Sequence, residues 1–81
     1  MCIRDRIGHD TLDRQTQNLM MAYAVENAEV AMYESLAVAA GIAGDVQTEQ
    51  LAKSIQAQEK ATAAKVWEQI APTAARSEVA V

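Results

Sequence analysis

Apolar residues recur at helical spacing in two long stretches of the chain, separated by a short segment that contains glycine. No Gly or Pro occurs within residues 10–40, and most residues there are good helix formers. Gly41 and Gly44 bracket the break, and Asp45 follows as a residue that can cap a helix N-terminus. A second helical pattern continues to Pro72, where a helix is expected to end. The predicted elements are helices over about residues 11–41 and 45–70 and a frayed tail over residues 73–81.

Two long helices joined by a tight turn form an antiparallel hairpin, so the predicted fold class is all-α. The 81 residues include one Trp, two Tyr and no Phe, which leaves few large side chains for a core. A domain of this size buries only about 60% of its unfolded surface. We therefore expect the hairpin, residues 7–72, to be unstable as a monomer. A second copy of the chain, in a homodimer, or further helices N-terminal to this segment would cover its apolar face.

The charge and hydropathy of the chain exclude several classes of partner. Seven basic and eleven acidic residues give a net charge of −4, which disfavours nucleic acid and anionic membrane surfaces. No run approaches the roughly 18 apolar residues of a membrane span, and no signal peptide opens the chain. We therefore expect a cytoplasmic protein that binds neither nucleic acid nor membrane.

Three glutamates fall on the apolar faces of the two predicted helices. At about 100° per residue, Glu26 lies in the middle of the apolar stripe of the first helix, with Glu29 about 60° to one side. Glu59 is central on the stripe of the second helix. With the turn centred near Ala43, all three lie at one height, so a Glu59 carboxylate oxygen should come within about 4–7 Å of Glu26 or Glu29. The residues that share these faces are Leu12, Leu19, Ala22, Val30, Tyr33, Ala37 and Ala40, then Thr48, Ala52, Ile55, Ala63, Val66 and Ile70.

Carboxylates in such positions need a counter-charge or a metal ion, because an unpaired carboxylate is costly in a core. No Lys or Arg lies on either apolar stripe. Inward carboxylates on facing helices form di-iron and di-manganese sites, so Glu26, Glu29 and Glu59 are candidate metal ligands. Tyr33, one turn beyond Glu29, either donates a hydrogen bond to a ligand oxygen or fills the core. His9, the single histidine, is expected in an exposed loop rather than at the metal.

Three explanations without metal remain open for the three acids. In an incomplete bundle the apolar face would be wet, or a basic residue of another helix would pair with the carboxylates. Acids in core positions can also fix the register of packed helices at a cost in stability. The alternative function is therefore a metal-free helical module for interaction or dimerisation.

Two segments resemble those of a known family. Residues 23–33, Tyr-Ala-Val-Glu-Asn-Ala-Glu-Val-Ala-Met-Tyr, are similar to the third helix of the ferritin-like bacterial stress proteins of the YciE/YciF type. Residues 58–62, Gln-Glu-Lys-Ala-Thr, preceded by Gly44-Asp45, are similar to the last helix of that family. The resemblance implies a ferritin-like four-helix bundle, usually dimeric, of which this chain is the C-terminal half. It also implies a di-iron centre and a role in stress.

The resemblance assigns residues one at a time. Glu26 and Glu29 match the paired acids of the third helix, and Glu59 matches the acid of the fourth. The chain departs from the pattern at Asn27, where relatives often carry His, and at Ala63, where many carry an acid. The expected function is binding of a carboxylate-bridged pair of iron ions, or of manganese, in oxidative or general stress protection. The sequence leaves the reaction, and whether the protein is an enzyme, undecided.

The first six residues, Met-Cys-Ile-Arg-Asp-Arg, differ in character from the rest of the chain. They resemble the translated end of a sequencing adapter, and we interpret residues 1–6 as an artefact that precedes the genuine protein. Under this interpretation the chain is a C-terminal piece, and its single cysteine carries no information about redox compartment.

Overall fold

The structure, a computed structural model, describes the backbone of residues 3–79 and the side chains of residues 13–77. It contains two helices, α1 (Ile3–Ala43) and α2 (Val46–Val79), and the described residues include no strand. The helices pack along each other as an antiparallel hairpin. The predicted all-α hairpin is therefore confirmed. No described helix is long and apolar enough to cross a membrane.

The turn between the helices closes with backbone and side-chain hydrogen bonds. The Asp45 amide donates to the carbonyl of Ala40 at 2.9 Å, and the Gly44 amide donates to that of Gly41 at 3.2 Å. This pair of bonds is a Schellman motif, and it requires the positive φ of 76° found at Gly44. Asp45 then caps α2, because its carboxylate accepts hydrogen bonds from the amide and the hydroxyl of Thr48 at 3.1 and 2.6 Å. The cap predicted at Asp45 is confirmed.

The seam, meaning the surface along which α1 and α2 contact each other, is built from small side chains. Its fully buried apolar residues are four alanines, and no large side chain is fully buried among the described residues. The hairpin measures 63 × 15 × 11 Å, with a radius of gyration of 18.4 Å. A compact domain of this length has a radius of gyration of about 12 Å. The hairpin therefore has a narrow contact line and no enclosed core. The buried alanines are Ala37, Ala40, Ala52 and Ala63.

Large apolar side chains lie instead on the outside of the hairpin. Met21, Val25, Met32 and Leu36, which we call the outer stripe, are 44–68% exposed. At about 100° per residue they share one side of α1, next to the seam. Leu51 of α2 is 61% exposed and lies at the height of Leu36 in the antiparallel pairing. These residues form an apolar surface that the described part of the chain does not cover.

The second helix is longer than predicted, so the helix end near residue 70 and the frayed tail were wrong. Pro72 lies inside α2, which continues to Val79. The ring of Pro72 is on the exposed side, while Thr73 and Ser77 are each only 4% exposed. These two residues continue the buried face of Val66 and Ile70. Packing against α1 therefore outweighs the lost hydrogen bond of the proline.

The start of the first helix was also wrong, since α1 begins at Ile3 and not near residue 11. The residues before position 11 are helical as well, and Gly8 among them is tolerated at a cost of about 1 kcal/mol. The side chains of Leu12 and His9 lie outside the described residues. The interpretation of residues 1–6 as an adapter stays a prediction. Ala22, expected on the buried face, is exposed.

Candidate metal centre

The three glutamates singled out from helical periodicity converge across the seam. Glu26 and Glu29 are one turn apart on α1, and Glu59 faces them from α2. All three are half-buried, and one carboxylate oxygen from each lies within 4.8 Å of the other two. The expected approach of Glu59 to within 4–7 Å of Glu26 or Glu29 is therefore confirmed. We call these three residues the carboxylate cluster; metal binding by the cluster stays a prediction.

The electrostatics of the cluster are those of like charges held close together. The neighbouring Glu59 raises the pKa of Glu29, first because the two carboxyl groups can share a proton in a hydrogen bond. Charge repulsion from Glu59 and partial desolvation raise it further. Oε2 of Glu59 is buried, and no donor in the described part of the chain reaches it. The cluster therefore contains an acceptor oxygen that a proton or a cation would satisfy.

The positive side chains among residues 13–77 do not neutralise the cluster. Lys53, Lys60 and Lys65 are exposed, in agreement with the absence of Lys from the predicted apolar stripe of α2. Within residues 13–77, the ion pair present is Lys53 with Glu49, 3.7 Å apart, and the half-buried Glu49 lies beside Gly41 near the turn. The three carboxylates are thus half-buried, and no cationic side chain of the described part of the chain forms an ion pair with them.

The donor set fits a hard divalent cation. Carboxylate oxygens are the ligands of manganese and magnesium, and inward carboxylates form the iron and manganese sites of helical bundles. Oxygens bound to one ion at about 2.1 Å lie about 3–4 Å apart. Small side-chain rotations would bring three oxygens that now lie within 4.8 Å to this spacing. Three carboxylates leave coordination positions open on any such ion.

The two positions that depart from the resembled pattern offer no further ligand. The amide of Asn27 is turned back onto its own helix, where Nδ2 donates to the carbonyl of Tyr23 at 2.7 Å. Ala63 is buried in the seam one turn after Glu59 and has only a methyl group. Beside it lies an open groove of about 380 Å³, whose walls include Tyr23 and Trp67. These two rings contact each other, with centroids 5.2 Å apart.

Tyr33 is half-buried on the cluster's side of α1. None of the hydrogen bonds found among residues 13–77 involves its hydroxyl group, so a role beside the metal stays a prediction.

Sequence reasoning missed Gln56, one turn before Glu59 on α2. Its side chain is 8% exposed, and Nε2 donates to the carbonyl of Val30 at 3.0 Å and to Oε2 of Glu34 at 2.8 Å. A glutamine is a common exposed helix residue, so its type carried no signal. Its position about 60° from Glu59 placed it on the flank of the buried face, which was the available clue.

The fold and the cluster define a helical-hairpin protein whose carboxylates meet across the contact between its two helices. The chain belongs to the family described as a domain of unknown function (DUF892), which matches residues 4–80. No curated protein matches the chain, and no solved structure matches it.

Proposed function

We propose that the chain binds a carboxylate-bridged pair of iron or manganese ions as half of a ferritin-like helical bundle. The observation that carries the proposal is the convergence of Glu26, Glu29 and Glu59 on one half-buried point. The buried and unpaired Oε2 of Glu59 supports it, because a cation would satisfy that atom. Resemblance to ferritin-like stress proteins supports the choice of iron and a cytoplasmic role in oxidative or general stress protection.

In this proposal each glutamate has a separate part. Glu29 and Glu59, whose like charges repel each other, would act as bridging or terminal ligands, and Glu26 as a further terminal ligand. Binding of a cation would release the proton that the raised pKa of Glu29 retains, so affinity should rise with pH. Bound iron would supply redox chemistry toward oxygen or peroxide. The half-buried position of the three carboxylates would limit the access of water to that chemistry.

The remaining ligands would come from outside this hairpin. Three carboxylates cannot complete the coordination of two ions, and the described side chains offer no fourth acid near them. The apolar outer stripe lies on the same side of α1 as Glu29 and would be covered by the helices that bring those ligands. A second copy of the chain in a homodimer, or further helices of a longer protein, would meet both needs.

Metal content of the purified chain, and of the longer protein where one exists, tests the proposal. Glu59→Gln keeps the shape of the side chain and removes its charge. We expect this variant to lose bound iron or manganese while its helical content stays unchanged. The metal-free variant should be as stable as the wild type or more so, because one of the repelling charges is gone.

Glu68→Gln is the matched control, since Glu68 is an exposed acid on the outward side of α2. It should bind metal as the wild type does. Equal metal stoichiometry in Glu59→Gln and the wild type would remove Glu59 from the site. Absence of metal from the wild type, in both the short chain and the longer protein, would refute the metal function.

A metal-free interaction module is the second candidate, and the exposed apolar residues favour it. Met21 is 68% exposed and Leu51 is 61% exposed, and apolar surface of this kind marks interaction sites. In that case the acids would pair with basic residues of the partner. Self-association or partner binding that is unchanged by a metal chelator, in a protein without metal, would favour this candidate.

A further inference from the structure

Gln56 is one of three buried polar side chains in the described part of the hairpin, with Thr73 and Ser77. It is 8% exposed, while the rest of the buried seam around it is formed mainly by alanine. Both protons of its amide are used, one by the backbone of Val30 and one by the carboxylate of Glu34. The two acceptors belong to α1, so Gln56 joins the two helices by hydrogen bonds.

The turn at Gly44 sets the relative height of the two helices next to it, but along the rest of the seam alanine side chains define that height poorly. Alanine side chains repeat at helical spacing, and a slip of one turn, about 5.4 Å, would place small residues against small residues again. A buried polar side chain removes this ambiguity. In a slipped pair its amide would lose its acceptors and stay buried, which is unfavourable. A single buried polar residue fixes register in other helical assemblies in the same way.

The register matters most at the carboxylate cluster. Gln56 is one turn from Glu59, and its acceptor Val30 directly follows Glu29. The oxygens of the cluster lie within 4.8 Å of one another, and a slip of one turn is larger than that distance. Because Glu26 and Glu29 are themselves one turn apart, a slipped hairpin would move Glu59 away from one of them, and the three oxygens would no longer meet at one point.

We propose that Gln56 is a positioning residue, which sets the register of α2 against α1 and thereby holds Glu59 opposite Glu26 and Glu29. The proposal deepens the proposed metal function and rests on it for its effect on metal affinity. Its effect on register does not depend on metal.

The test compares Gln56→Met with the matched control Gln58→Met in the complete 81-residue chain. Both changes replace an amide by an apolar side chain of similar length, and Gln58 is exposed. Binding of Mn²⁺ is measured from the free-ion signal in electron paramagnetic resonance. Register is measured without metal, from the distance between spin labels at Ser35→Cys and Glu68→Cys in a Cys2→Ser background. Labelled chains are diluted into excess unlabelled chain, so that only distances within one chain contribute.

We expect Gln56→Met to weaken Mn²⁺ binding about tenfold or more, as loss of a residue that orients a ligand does. The label distances should broaden or gain a second population shifted by about one turn. Helical content should be unchanged, and Gln58→Met should match the wild type in every measurement.

Three results would overturn the proposal. The first is a single wild-type distance in Gln56→Met, which means that Gln56 does not set the register. The second is weakened Mn²⁺ binding with an unchanged distance, which means that Gln56 acts by another route. The third is a shifted register with unchanged Mn²⁺ affinity, which means that register does not position the ligands. If the wild type itself binds no Mn²⁺, the metal function fails, and the label distances still decide whether Gln56 fixes the register.

Discussion

The seam of this hairpin is built from small side chains, and the outer stripe carries large ones. In an ordinary protein the large apolar side chains are the buried ones. The seam buries alanines together with Gln56 and half-buries three acids. The outer stripe exposes Met, Val and Leu side chains that would normally form a core. Burial of large apolar side chains is the main favourable term in folding. The contact within the chain therefore provides close approach and alignment, and most of the apolar driving force remains available to another chain or helix.

The two sides of the hairpin also differ from each other. Gln56 contacts Glu34, and Tyr23 contacts Trp67, on the side away from Glu29. On that side the two helices are joined by hydrogen bonds and by an aromatic contact, although Trp67 stays 60% exposed. The side that carries Glu29 has the outer stripe and is open. This difference predicts which face a partner covers.

The largest expected effect comes from placing a charge on the open side. Met32→Glu puts a carboxylate in the middle of the outer stripe, one turn from Glu29. If this face is covered by a second copy of the chain, self-association should weaken at least about tenfold, because a buried unpaired charge opposes it. Helical content should also fall, since isolated helices are marginal in water. Sedimentation velocity and circular dichroism over a concentration series provide the measurements.

Val38→Glu is the matched control for this prediction. Val38 is 53% exposed, and it lies on the side of α1 that carries Glu34. It should self-associate like the wild type. Equal weakening by both variants would show that the two sides do not differ, and a wild-type chain that is a stable folded monomer would contradict the need for a covering partner.

The second effect concerns the charge repulsion between Glu29 and Glu59 across the seam. Glu29→Gln should remove metal binding and raise the melting temperature of the metal-free protein at pH 7. The raised pKa of Glu29 means that the folded state binds its proton more tightly than the unfolded state does. Protonated Glu29 therefore contributes favourably to the free energy of unfolding. This contribution is complete below the ordinary pKa of 4.5 and is lost as pH rises through the raised pKa of Glu29 in the folded state. Thermal melts of chelator-treated protein from pH 4 to 8 measure the difference.

The difference in melting temperature between Glu29→Gln and the wild type should decrease as the pH falls, because both proteins then carry an uncharged side chain at residue 29. A difference in melting temperature that is constant over this pH range would show that repulsion within the cluster is not its cause. A lower melting temperature for the variant at pH 7 would also contradict the prediction.

Much of this arrangement was predictable from periodicity, and the failures have physical causes. The turn at Gly44, the cap at Asp45 and the convergence of the three glutamates all follow from local rules and helical angles. The extension of α2 was missed because a local rule for Pro72 was applied where tertiary packing decides. Gln56 was missed because its role depends on the height of a carbonyl on the other helix.

The extension of α2 leads to a third and smaller effect. Pro72→Ala restores a backbone donor and removes the clash of the ring with the preceding turn. We expect the free energy of unfolding to rise by about 1–2 kcal/mol, less than the full cost of a proline in a helix interior because the site is near the helix end. Gln69→Ala, at an exposed position of the same helix, should change it by only a few tenths of a kcal/mol. Urea denaturation measures both, and no gain in Pro72→Ala would argue against helical structure beyond residue 70.

The smallest effect is expected at the turn, where Asp45 caps α2. Hydrogen bonds from the hydroxyl and then the amide of Thr48 lower the pKa of Asp45. The folded state therefore binds this proton less tightly than the unfolded state does. The contribution of the cap to the free energy of unfolding is complete above the ordinary pKa of 3.8 and is lost as pH falls through the lowered pKa of the folded state.

Asp45→Ala should lower the melting temperature by a few degrees at pH 7, and this difference from the wild type should shrink below pH 3.8. Asp45→Asn keeps a capping oxygen that does not titrate, so it should melt close to the wild type at pH 7 and lose less stability in acid. Circular dichroism melts from pH 2.5 to 7 compare the three proteins. An Asp45→Asn variant with the same acid dependence as the wild type would show that this carboxylate does not contribute to it. The sign is opposite to that at Glu29, so the two contributions are complete together only between the ordinary pKa values of 3.8 and 4.5.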